Sequence, residues 1–106
     1  MTNGPTAGVG AIVERAAAEL EGVERTERGG VVEWSANGVP FATAQADRAE
    51  FRLAGPIAAA ALRTPDTAAS VRGADWVAFM PSVLDGHAID RAEAWLASAW
   101  RRAVGS

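Results

Sequence analysis

The chain has 106 residues, 49% of them hydrophobic, and a formal net charge of −3. That length suits one domain with a single core, and that composition is too apolar for a disordered chain. It contains no Cys, which excludes disulfides, thiolate nucleophiles and Cys metal sites. Every one of the ten basic residues is Arg, which with the abundant Ala suggests GC-rich codon use. No apolar run approaches the ~20 residues of a membrane span. Met1–Gly10 has neither a basic cluster nor a signal-like apolar stretch, so a cytosolic protein is expected.

In chain order, Met1–Ala7 holds Gly4 and Pro5 and reads as a frayed start. A helix is expected over Gly8–Glu21. Val9, Ile12, Val13, Ala16 and Leu20 share one face of it at helical spacing. Gly22 suits its stop. Gly8-Val9-Gly10 faintly suggests a phosphate loop, but it lacks a preceding strand and a third glycine. Val23–Arg28 alternates as a polar edge strand, and Gly29-Gly30 turns the chain.

Asn37-Gly38 lies between two β-rich runs, Val31–Ala36 and Val39–Gln45. This pair is the strongest short-range hairpin signal, because a type I′ turn needs positive φ at both central residues. A regular register from that turn pairs Trp34 with Phe41. It puts Val32, Trp34, Ala36, Val39, Phe41 and Thr43 on one face. Glu33, Ser35, Pro40, Ala42 and Ala44 then lie on the other. A further strand, Ala49–Leu53, follows through a three-residue turn, Ala46-Asp47-Arg48. It adds Phe51 and Leu53 to the first face, and Glu50 and Arg52 to the second.

Gly55-Pro56 opens a short helix, Pro56–Arg63, which Thr64-Pro65 ends. Thr67–Ala74 reads as a loop or irregular stretch. Trp76–Met80 is a wholly apolar strand, expected to be covered on both faces. The last helix spans Gly86–Ala103. Its buried stripe is Ile89, Ala92, Leu96, Ala99, Trp100 and Ala103, with Trp95 on the flank. Arg101 and Arg102 suit its C-terminus. The expected fold is α+β: an antiparallel meander in the order α-β-β-β-β-α-β-α, with helices packed on one face.

Four stretches in that order carry a resemblance: VVEWSANGVPFATA, AEFRLAGPIAAAALR, ADWVAFMP and IDRAEAWLASAWRRA. Together they resemble the MmcQ/YjbR-like family of small bacterial proteins over roughly residues 8–103. The pattern is also similar to a small luciferase-domain family of actinobacterial proteins. The first resemblance implies a frataxin-like, double-wing α+β fold and nucleic-acid binding through the hairpin wings. It brings no catalytic residue and no cofactor. The residues themselves point away from a duplex binder: the chain is acidic, and Glu33 and Glu50 sit beside only Arg52 on the outer sheet face.

His87 is the single histidine and so the candidate general base, flanked by Asp85 and Asp90, with Ser82 as a conceivable nucleophile. Against this, Asp85 before a helix is an ordinary N-cap and His87 an exposed first-turn residue. As ligands, Asp85, His87 and Asp90 lack an HxxxH pattern or a carboxylate ladder. The frataxin-like topology raises an acidic metal-binding ridge at Glu14, Glu19, Glu21, Glu24 and Glu27. Arg15, Arg25 and Arg28 alternate with these acids, which favours a solvated face with local ion pairs instead. The favoured reading is a binding or protein-interaction module for an unknown protein or small ligand. Its expected contact surface is Glu33, Ala42, Ala44, Glu50, Arg52, Trp76 and Trp95. A homodimer through the open sheet face or an edge strand accompanies that reading.

Overall fold

The computed structural model describes residues 7–105. All but the last residue of the expected frayed start therefore lies outside the described residues. Three helices and one six-stranded antiparallel sheet follow the expected order: α1 (Gly8–Ala17), β1 (Val23–Arg28), β2 (Val31–Ala36), β3 (Val39–Gln45), β4 (Arg48–Arg52), α2 (Gly55–Ala61), β5 (Thr67–Ala69), β6 (Trp76–Phe79) and α3 (Gly86–Val104). The strands lie in the order β1-β2-β3-β4-β6-β5. β5 is an addition, since its three residues fall in the stretch expected to be irregular. Helices α1 and α3 pack on each other and on one sheet face.

Asn37 and Gly38 have φ of 55° and 76°, as the type I′ turn requires. The turn is also tied down, because Asn37 Nδ2 donates to the carbonyl of Val104 at 3.2 Å, at the end of α3. Ala36 pairs with Val39 and Ser35 with Pro40, as expected. The register then shifts by one residue. Trp34 faces Ala42, Glu33 faces Thr43 and Val32 faces Ala44, which leaves Phe41 without a partner on β2. This is a β-bulge, in which one extra residue turns toward the face its neighbour also occupies.

The bulge corrects the expected sidedness of β3. Phe41, Ala42 and Ala44 are all buried in the core, and Thr43 moves to the opposite face. The physical reason is packing. Trp34 opposite Ala42, and Ala42 opposite Phe51, alternate large and small side chains where the helices approach. The next turn corrects the register a second time. Gln45 pairs with Arg48, so the loop is the two residues Ala46-Asp47. The two shifts cancel, so Phe51 and Leu53 keep their expected core side, while Glu50 and Arg52 keep theirs. Trp95 packs edge-on against Phe79, with ring centroids 5.0 Å apart, and tilted against Phe51 at 6.2 Å.

Gly8-Val9-Gly10 has a structural role. Gly8 has φ of +70°, and a Cβ there would lie 2.1 Å from the carbonyl oxygen of Ala46. The Gly10 N–H donates to that same oxygen at 3.2 Å. The start of α1 therefore sits directly on the β3–β4 turn, and an otherwise unpartnered N-terminal amide of the helix is satisfied there. Gly8→Ala meets both the left-handed backbone penalty and a collision with main chain that cannot swing away. It should destabilise the protein by about 2 kcal/mol or more. Urea unfolding followed by tryptophan fluorescence checks this, and Gly22→Ala serves as a positive-φ control with nothing within 4 Å of the added Cβ.

Candidate functional site

The register puts Glu33, Thr43, Glu50, Ala78 and Ala68 in one row across the face without helices. The centre of this face is nonetheless buried. Thr43, Glu50, Ser70, Trp76 and Ala78 are each under 9% exposed. The cover comes from the chain itself: the β5–β6 connection, residues 70–75, folds back over the sheet.

Glu50 is the anchor of that cover. Its Oε1 accepts from Thr43 Oγ1 at 2.9 Å and from Arg72 Nε at 2.8 Å. Its Oε2 accepts from Ser70 Oγ at 2.6 Å and Arg48 Nη2 at 3.2 Å. Ser70 Oγ in turn accepts the Arg72 backbone N–H at 3.1 Å. Arg72 also lies 3.9 Å from Glu33 and stands over the Trp76 ring at 5.6 Å. No buried side-chain nitrogen or oxygen among the described residues lacks a partner. Burial pushes the Glu50 carboxyl up, but the hydrogen bonds from Ser70, Arg72, Thr43 and Arg48 outweigh it and hold the group down to about 2.

A second ionic group closes the end of the same face. Asp75 Oδ2 lies 3.2 Å from Arg52 Nε and 3.0 Å from Arg102 Nη1. Arg102 also donates to the carbonyl of Leu53 at 2.9 Å. Burial pushes Asp75 up, and the Arg102 hydrogen bond, its own backbone N–H and the two guanidinium charges bring it below the usual carboxylate range. These contacts join β4, the start of β6 and α3.

Arg72 divides the face into two open concavities of about 490 Å³ each. One is lined by Thr26, Glu27, Arg28, Val31, Glu33 and Arg72. The other is lined by Gln45, Arg48, Glu50, Val71 and Arg72. Val71, at the tip of the cover, is 97% exposed.

Several expected site residues are placed differently. Ala42 and Ala44 leave the contact surface, because the bulge turns them into the core. Trp76 is 8% exposed under Arg72, and Trp95 is partly buried against Phe79 and Phe51 of the core. Glu33 and Arg52 lie on the expected face, half-buried, and Glu50 lies there under cover. Asp85 caps α3, its Oδ1 accepting the Ala88 N–H at 2.9 Å. His87 and Asp90 are exposed, and no group of acids and histidines among the described residues is arranged to hold a metal. Nothing in the sequence singles out Thr43, Arg48, Ser70 or Arg72. The Glu50–Thr43 pairing emerges only after the two register shifts, and Ser70 and Arg72 lie in a stretch without periodicity. No protein family, curated protein or solved structure matches the chain.

Because the folded carboxyl of Glu50 is more acidic than an unfolded one, its contribution is fully present above pH ~4.5. It is lost as pH falls toward about 2. Glu50→Gln should lower stability at pH 7 by on the order of 2–3 kcal/mol. It should also flatten the acid limb of the stability profile between about pH 4.5 and pH 2. Denaturant midpoints measured across that range for both proteins check the two effects together.

Proposed function

We propose that this protein is a binding module whose contact surface is the Arg72-bearing cover and the two concavities beside it. One observation carries the reading. A nearly fully exposed Val71 is held in a fixed place by a loop pinned through Ser70 and Arg72 to a buried, ionised carboxylate. Isolated exposed apolar residues are ordinary; one built onto an anchored loop between two polar hollows suits a partner of mixed character. The ligand favoured by such a surface is a short peptide segment or small molecule with one apolar group and polar ends.

Kinship with the MmcQ/YjbR-like family is proposed on the sequence pattern of residues 8–103 alone. The family's nucleic-acid reading has less support here. Arg48 and Arg72 are tied to Glu50, and Arg52 and Arg102 to Asp75, so these cations do not form an unpaired stripe for phosphates. A hydrolytic role at His87 draws no support from its exposed position on the first turn of α3.

Amide NMR during titration with small-molecule and peptide libraries tests the reading. Shift changes should centre on Ser70–Arg72, Glu33 and Arg48, and Val71→Asp should weaken each binder by about tenfold. Titration with duplex DNA should leave these amides unmoved. Binders that map instead to His87, or that Val71→Asp leaves intact, would sink the assignment.

A further inference from the structure

β1 forms one edge of the sheet, paired only with β2. Its sequence is Val-Glu-Arg-Thr-Glu-Arg, and all but Val23 are exposed. The turn that joins it to β2 is Gly29-Gly30, with φ of 61° and 82°, and Arg28 and Val31 close it. In a two-residue turn the closing residues are hydrogen-bonded to each other. Bonded and non-bonded pairs then alternate along the ladder. Arg28, Thr26 and Glu24 therefore direct their backbone groups at β2. Glu27, Arg25 and Val23 direct theirs outward, along the free edge.

We propose that this edge pairs with β1 of a second copy, antiparallel, about a two-fold axis at Thr26. The outward-facing amides restrict a symmetric pairing to registers that shift by whole two-residue steps. One such register sets Arg25 against Arg25 and another Glu27 against Glu27, with like charges directly opposed. The register between them sets Glu24 against the partner's Arg28, Arg25 against the partner's Glu27, and Thr26 against the partner's Thr26. Every charged residue of the overlap then meets its opposite, twice over by symmetry, and the Thr–Thr pair is itself a favourable cross-strand contact. Charges on an edge strand normally block such pairing. Here they block the neighbouring registers and favour one.

The geometry of β1 fits this pairing. Arg25 is already held along the core side of the sheet by Glu14, at 2.7 Å, and by Glu27 of its own strand, at 3.7 Å. Glu24 and Arg28 make no ion pair with any described residue, so both are available. The two sheets would join into one of twelve strands. The first concavity, bordered by Thr26 and Arg28, would then continue onto the second copy. The inference stands on β1 alone and does not depend on what the Arg72 surface binds.

Light scattering and sedimentation over rising protein concentration test it, with circular dichroism to confirm folding. The wild-type chain should form a dimer, and hydrogen exchange at the amides of Arg25 and Glu27 should slow as it does. Glu24→Arg and Arg28→Glu each oppose like charges twice, and each should weaken self-association by about tenfold or more. Mixed in equal amounts, the two variants regain complementary pairs and should form a heterodimer. A wild-type chain that stays monomeric at every concentration overturns the proposal. So does a dimer that both substitutions leave intact, or a variant mixture that fails to pair.

Discussion

Phe41, unpaired on β2, decides which side of the sheet carries the chemistry. Without its bulge, Thr43 would face the helices and Ala42 the open side. With it, Thr43 stands opposite Glu50 on the open side, and two alanines lie under the helices. Core and surface are therefore settled by the same irregularity. Small residues beneath α1 and α3 let those helices approach closely, and the hydroxyl this moves outward becomes one of four donors to a buried carboxylate. A sheet with perfect alternation could not provide both from this sequence.

Glu50 then turns a bare sheet face into a roofed one. Burying a carboxylate costs free energy unless it is paired and fully hydrogen-bonded. The four donors come from β3, β4 and the β5–β6 loop, so the charge is stable only when all three are in place. The roof is consequently not a free loop: it is attached to the sheet through the group that most requires it. The Asp75 cluster repeats this arrangement one step along, joining the strand ends to the last helix.

Most of the architecture is legible in the sequence because it depends on local signals. Asn37-Gly38 specifies its turn through the positive φ of both residues, and Gly29-Gly30 does the same. Spacing places most of the helical stripes, but α1 ends at Ala17, short of the expected Glu21 and before Leu20, and Ile89 and Trp100 of α3 are only partly buried. The sides of Phe51, Glu50 and Arg52 come out right although the pairing behind them does not, because the bulge and the shorter Ala46-Asp47 turn displace the register in opposite senses. What cannot be read depends on distant partners. A bulge is chosen by how Trp34, Ala42 and Phe51 fit together, and no window around Phe41 contains that information. Ser70 and Arg72 likewise acquire meaning only from Glu50, twenty and twenty-two residues earlier. The expected contact surface loses Ala42, Ala44, Trp76 and Trp95, and what remains is polar and roofed.

The exclusive use of Arg has a consequence of its own. With no Lys, Cys or Tyr in the chain, no side chain changes charge between the histidine range and the far alkaline range of guanidinium. The ion pairs on Glu50 and Asp75 therefore respond to acid and are indifferent to base. They also offer no side-chain amine to acetylation or ubiquitin transfer, the usual routes by which a cell cancels or covers a positive charge. Neither of those two routes can act on the guanidinium groups that hold this surface together.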